Sequence, residues 1–268
     1  MHIGYEEQKW LASKVDKYRM HSLKDLGLLS VKSVELLYQF LYRMPNLETL
    51  NLTFSHLLEV LVPSANIAPQ VRLGTVLQLK QLLVWFSGIK DLGFEHDPVL
   101  QRLKFLSLKG CNRLINLAPP SVSWTYLIYL EVIFCRGLIN LMASSTAKSL
   151  VQLKTMKVIR CKVKEIITNE GNEEDKVIEV VFSNLITLEL VGLEYLTSFC
   201  SYKNCEFKFP SLELLIVREC PMMETFTKSH TRAPKLQNIL AVEGGGEEAK
   251  WQWEGDVNAT IQKVFKDK

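Results

Sequence analysis

No stretch of the 268 residues approaches the roughly 20 apolar positions that a membrane helix needs; the longest apolar runs, such as residues 82–86, stop after a few. Strong charge of one sign is missing too. With 32 basic and 29 acidic side chains the net charge is +3, too weak a field to argue for nucleic acid or an anionic membrane surface as partner. The N-terminus opens on Met-His-Ile-Gly-Tyr-Glu-Glu-Gln, without a basic segment leading into an apolar core. No secretory signal is read, and a soluble, cytoplasmic chain without membrane insertion is expected.

Chemistry-bearing motifs are equally scarce. Cys200 and Cys205 lack Cys-x-x-Cys spacing, and His2, His21, His56, His96 and His230 are scattered, so neither supplies a metal-ligand set. Residues 244–246 are three glycines, but Glu247 and Glu248 follow where a phosphate loop needs Lys and Ser or Thr. No nucleophile stands in a motif with a base. The expectation is a non-enzymatic protein with no cofactor and no catalytic residue.

What is present is repetition. Leu103, Leu106, Leu108, Cys111, Leu114 and Leu117 recur as Leu127, Leu130, Val132, Cys135, Leu138 and Leu141, each displaced by 24 residues. A period of 20 to 29 residues carrying L-x-x-L-x-L-x-x-C is the signature of a leucine-rich repeat, in which each copy supplies one short strand and a returning segment. The fold class is α/β: a leucine-rich-repeat solenoid with a curved parallel sheet on its concave side and loops and short helices on its convex side. A content of 47% hydrophobic and 23% charged residues suits such a continuous core.

Rungs of this kind start at Leu23, Leu47, Leu79, Leu103, Leu127, Leu153, Leu185, Leu212 and Leu236, giving about nine repeats over residues 23–243. Residues 1–22 read as a short N-terminal helical segment, and residues 33–44 as a convex-side helix with Ser33 as N-cap. Pro45, Pro210 and Pro234 each precede a leading leucine by two positions, at a strand entrance where no ladder donor is needed. Residues 169–176 are acidic, contain glycine, lack apolar period and read as a solvated loop. Residues 244–268 read as a C-terminal cap, with Trp251 to Trp253 as an edge strand and residues 258–265 as an amphipathic helix that shields the last rung. All 268 residues then make one domain.

The second and third leucines of each rung lie two apart on a strand and face the core together. Cys111, Cys135, Cys161 and Cys220 share one repeat position, which favours a structural role: a small buried side chain whose weak donor answers a backbone acceptor at the strand's end. A disulfide between residues 111 and 135 is disfavoured by parallel side-chain vectors and a reducing compartment.

With no catalytic constellation, function falls to the exposed surface. Alternation points the residues flanking the core positions out of the concave sheet, and many are apolar or aromatic. The candidate protein-binding residues are Trp85, Phe105, Lys109, Tyr129, Glu131, Ile133, Lys157, Ile159, Glu189 and Arg218. The alternative reading is that a shallow curve or a covering loop buries the apolar ones. The charges would set specificity more than affinity.

Several phrases in combination carry a family resemblance: Cys135-Arg-Gly-Leu-Ile-Asn-Leu141, Ser145-Thr-Ala-Lys-Ser-Leu-Val-Gln-Leu-Lys154, Phe209-Pro-Ser-Leu-Glu213, Glu219-Cys-Pro-Met-Met223 and Trp251-Gln-Trp-Glu-Gly-Asp256. From about residue 23 onward the chain resembles the C-terminal leucine-rich region of plant coiled-coil, nucleotide-binding, leucine-rich-repeat disease resistance proteins. The resemblance implies a cytosolic sensor of the defence response. Its protein partner would be a pathogen effector, a guarded host protein that effectors alter, or the nucleotide-binding domain of a related receptor. No coiled-coil segment and no Gly-x-x-x-x-Gly-Lys accompanies it, so a truncated regulator or decoy is a further reading. Another is an adaptor resembling the leucine-rich-repeat substrate receptors of ubiquitin ligases.

Overall fold

The computed structural model describes residues 2–4, 22–33, 37, 41, 44–55, 79–92, 102–117, 123–169, 177–242 and 250–266. Of the helical segment expected in residues 1–22, residues 5–21 lie outside the described residues, and His2 and Ile3 are instead a strand paired with the first rung; the loop 169–176 beyond Asn169 and the glycines 244–246 also lie outside the described residues. Of the helix expected at 33–44, Leu37 and Leu41 are helical and buried, and the Leu37 amide donates to the Ser33 carbonyl at 3.3 Å.

The nine expected rungs each become a strand of one sheet, and two further strands, one before the first rung and one after the last, bring it to eleven. In chain order these are β1 (His2–Ile3), β2 (Asp25–Leu29), β3 (Thr49–Thr53), β4 (Gln81–Trp85), β5 (Phe105–Lys109), β6 (Tyr129–Ile133), β8 (Thr155–Ile159), β11 (Thr187–Val191), β13 (Leu214–Arg218), β15 (Ile239–Val242) and β16 (Lys250–Gln252). They stand in that order in an eleven-stranded sheet, parallel throughout except that β16 runs antiparallel to β15. Each pairing is in the register that the repeat implies, with Leu106 opposite Leu130, and Leu108 opposite Val132. The second and third leucine positions are buried from Leu26 to Ala241, forming one ladder under the sheet. A five-residue rung has no other way to remove those side chains from water, and parallel stacking also pairs its backbone.

Among the described residues, entry into six of the strands is a turn. The amide of the leading leucine donates to the carbonyl three residues back, as Leu47 does to Met44 at 3.0 Å, Leu212 to Phe209 at 3.3 Å and Leu236 to Ala233 at 3.1 Å. Pro45, Pro210 and Pro234 occupy the second position of those turns, where the fixed proline φ suits the bend and no amide is needed.

Just past the strands the cysteines do what their spacing suggests. The thiol of Cys111 donates to the Val84 carbonyl at 3.4 Å, Cys135 to Leu108 at 3.7 Å, Cys161 to Val132 at 3.6 Å and Cys220 to Leu190 at 3.7 Å. Each acceptor is the penultimate residue of the preceding strand. All six cysteines are free and buried, and burial pushes the Cys220 thiol up to about 12, keeping it protonated. In two earlier rungs the same position holds serine: Ser55 and Ser87 are buried, and the Ser87 hydroxyl donates to the Ser55 carbonyl at 3.1 Å. Thiol and hydroxyl both serve as donors at this position, while two further rungs fill it with the buried apolar residues Val31 and Leu193.

The returning segments hold loops and short helices as expected, among them the helical residues 37 and 41 and a six-residue helix, α1 (Ser144–Ser149). The described residues add two further parallel sheets: β7 (Asn140–Ala143) with β9 (Glu165–Thr168), and β10 (Ile178–Val181) with β12 (Cys205–Lys208) and β14 (Thr231–Arg232). The reason is aromatic volume. Phe182, Phe199, Phe207, Phe209 and Phe226 are all buried and pack ring on ring, Phe182 stacked on Phe209 at 5.3 Å and Phe199 on Phe226 at 4.8 Å. Aromatic and β-branched residues in successive returns favour extended backbone over helix.

At the C-terminal end, β16 covers the free edge of β15, and α2 (Val257–Lys266) packs beside it with Val257, Ile261 and Phe265 buried on one face. The Asp256 carboxylate caps that helix by accepting the Ala259 amide at 2.8 Å. No helix among the described residues is long and apolar enough to cross a membrane.

Because Leu108 is fully buried with a stacked neighbour on either side, Leu108→Ala is expected to lower the unfolding free energy by about 2–5 kcal/mol. Urea denaturation followed by circular dichroism checks it.

Candidate concave-face site

Strand register sorts the outward side chains of the sheet into three rows. One runs through Phe105, Tyr129, Thr155 and Thr187; the middle one through Ser107, Glu131, Lys157 and Glu189; the third through Trp85, Lys109, Ile133, Ile159, Val191 and Arg218. Neighbours within a row are one strand spacing, about 4.8 Å, apart, so side chains from adjacent rungs touch.

Six of them form a connected group over β4, β5 and β6. Glu131 is its centre. One carboxylate oxygen accepts the Ser107 hydroxyl at 2.8 Å and faces the Lys109 ammonium at 3.0 Å; the other accepts the Tyr129 hydroxyl at 3.2 Å. The Trp85 indole N–H reaches the Ser107 oxygen at 3.5 Å, and the Lys109 ammonium lies 5.3 Å from the Trp85 ring centre. Phe105 stacks on Tyr129 with ring centres 4.4 Å apart and planes within 2° of parallel. A second pair, Lys157 with Glu189 at 2.7 Å, continues the middle row.

The environment tunes these groups. Burial alone pushes the Glu131 carboxyl up, but the hydrogen bonds from Lys109 and Ser107, the Lys109 charge and the Tyr129 hydroxyl together hold it below the usual carboxylate range. Burial, and then the Glu131 charge, push the Tyr129 phenol up to about 12. At neutral pH the group therefore holds an ionised acid, a protonated amine and a neutral phenol in fixed geometry. It offers hydrogen-bonding edges and flat apolar faces with little freedom left to lose on contact.

All ten candidate residues lie on this face. Trp85, Phe105, Lys109, Tyr129 and Glu131 come together in the central group, and Lys157 and Glu189 form the adjoining pair. Ile133 and Ile159 stand side by side in the third row, half-buried. Arg218 stands apart on β13, its Nε buried with no acceptor among the described residues. The charges prove to be paired with one another across strands. Ser107 is the member that sequence reasoning did not single out; it is buried, and bridges Trp85 to Glu131. Among the described residues no three His, Cys, Asp or Glu side chains gather as a metal ion would need.

A second feature borders this face. The residue that leaves each strand adopts positive φ: Ser30, Phe54, Phe86, Gly110, Phe134, Arg160, Gly192 and Glu219. Its amide donates to the carbonyl of the last residue of the next strand, as Phe134 does to Ile159 at 2.9 Å. Glycine meets this geometry without strain, whereas a side chain there costs about 1–2 kcal/mol. The bulky residues nonetheless form an exposed column in which Phe54 stacks on Phe86 at 5.4 Å. This column was not singled out from the sequence; its signal there is the pair of glycines, 110 and 192, at one repeat position.

Two outcomes test this geometry. Folding holds the Glu131 carboxyl below its usual value, so its contribution is complete above about pH 4.5 and is lost as pH falls through the folded value. Glu131→Gln should therefore cost roughly 1–2 kcal/mol at pH 7, and the difference from the parent chain should shrink below pH 4.5, read from urea midpoints across pH. Gly110, at φ 66°, lies under Phe86, and an added Cβ would come within 2.6 Å of that ring. Gly110→Ala is expected to lower stability by about 1–2 kcal/mol, measured by thermal denaturation.

In comparison with known proteins, residues 125–242 match the family described as plant disease resistance protein RPS2-like, leucine-rich repeats. No curated protein and no solved structure matches the chain.

Proposed function

From the match of residues 125–242 to the family described as plant disease resistance protein RPS2-like, leucine-rich repeats, we propose that the chain is a non-enzymatic recognition domain of plant defence. Its concave face contacts a protein, either a pathogen effector or a host protein that an effector has altered. All 268 residues act as one leucine-rich-repeat unit in the cytoplasm, where a reducing environment suits six free thiols. No cofactor takes part.

The observation that carries this reading is the group centred on Glu131. Trp85, Tyr129 and Phe105 supply the flat, amphipathic surface that enriches protein interfaces, and Lys109, Ser107 and Glu131 lock those rings in place. Ionic groups already satisfied within the molecule bring smaller desolvation cost to an interface than isolated charges. Lys157 and Glu189 extend the surface along the middle row, in position to set which partner is accepted.

Substituting Trp85, Tyr129 and Lys157 together by alanine is expected to weaken binding to the cognate effector, or to the nucleotide-binding domain of a related receptor, by at least 100-fold. Surface plasmon resonance measures this. Unchanged affinity with an intact fold rejects the concave face as the docking surface.

A further inference from the structure

The strand-exit column leads into a cleft of about 590 Å³ that the concave-face reading does not use. It lies beyond the ends of β6, β8, β11 and β13, which are consecutive in the sheet. Its walls are divided by charge. From the β6 and β8 exits come Arg136, Arg160 and Lys162; from the β11 and β13 exits come Glu194 and Glu219.

Among the described residues none of these five side chains is in an ion pair with another, although both signs line the same small space. Two of the cations are instead propped on aromatic faces. The Arg160 guanidinium lies 5.5 Å from the ring centre of Phe134, and the Lys162 ammonium 5.8 Å from that of Tyr195. Their hydrogen-bond donors remain free for a ligand. Gly192 sits between the two halves, directly under Arg160, where an added Cβ would come within 2.8 Å of the arginine side chain. Phe134, Arg160 and Glu219 also hold positive φ, a position that Gly110 and Gly192 fill without strain in other rungs.

We propose that this cleft is a second docking site, which receives an extended protein segment carrying an acidic side chain at one end and a basic side chain at the other. The acidic end lies against Arg136, Arg160 and Lys162, where the planar guanidinium fork matches a carboxylate. The basic end lies against Glu194 and Glu219. Four strands span three spacings of about 4.8 Å, roughly 14 Å, the reach of about four extended residues. The intervening residues pass over Gly192 and rest against the exposed Phe134 and Tyr195 rings.

Fluorescence anisotropy of the full chain tests this with the labelled peptide Ac-Glu-Glu-Phe-Gly-Lys-Lys-amide and a control of the same composition in which acidic and basic residues alternate. The segregated peptide is expected to bind at least tenfold more tightly than the control. That preference should vanish in Arg160→Gln with Lys162→Gln, and again in Glu194→Gln with Glu219→Gln. It should persist in Trp85→Ala with Lys157→Ala, which separates this site from the concave face. Arg136→Gln, at an exposed position, serves if either double variant fails to fold. Equal affinity for the two peptides, binding of neither up to millimolar concentration, or a preference that survives both cleft variants overturns the proposal.

Discussion

Everything in this molecule depends on the parallel pairing of one short rung with the next. A five-residue strand carrying two inward leucines cannot bury them or satisfy its backbone by itself. Stacked at about 4.8 Å it does both, because each neighbour closes the ladder and covers the side chains at once. The turns entering the strands, the small donors leaving them and the terminal cap all follow from that requirement. The Leu47 amide bonded to the Met44 carbonyl sets the start of β3, and Cys135 ties the end of β6 to the preceding rung. At the C-terminal end the short antiparallel β16 covers the edge of the last parallel rung, β15, and α2 packs beside it.

The same pitch writes the recognition surface. Once rungs stack in register, every third-row residue has a third-row neighbour within side-chain reach, so chemistry on the concave face is set by pairs of residues far apart in sequence. Glu131 gathers Ser107 and Lys109 from the neighbouring rung and Tyr129 from its own. A carboxylate isolated on an apolar sheet would be pushed toward protonation; here the hydrogen bonds outweigh burial and keep it ionised. Its negative charge in turn helps keep Tyr129 neutral.

The strand exits show the opposite economy. Positive φ is required at each by the amide that must reach the next strand, and glycine at positions 110 and 192 meets it without strain. Phenylalanine at 54, 86 and 134 and arginine at 160 keep side chains there at a cost to stability, and those side chains are exposed. Phe54 stacks on Phe86 and Arg160 lies against Phe134, while the glycines at 110 and 192 leave room for the Phe86 ring and the Arg160 side chain beside them.

The sequence by itself determined the period, the nine leucine-bearing strands and their order, the cysteine position, the proline turns and the terminal strand and helix, because each depends on spacing within one repeat or on a residue's own conformational preference. It also placed all ten candidate residues on the concave side, since alternation along a strand is local. Only the tertiary structure decided how those residues meet. Ser107 becomes a buried bridge, Lys109 pairs with Glu131 and Lys157 with Glu189, and Arg218 is left apart. These contacts join rungs separated by 22 to 32 residues, and their geometry follows from stacking that no single repeat encodes. The aromatic core that turns the later returns into strands was hidden for the same reason: Phe182, Phe199, Phe209 and Phe226 look like isolated phenylalanines in the chain and become neighbours only when the rungs are piled.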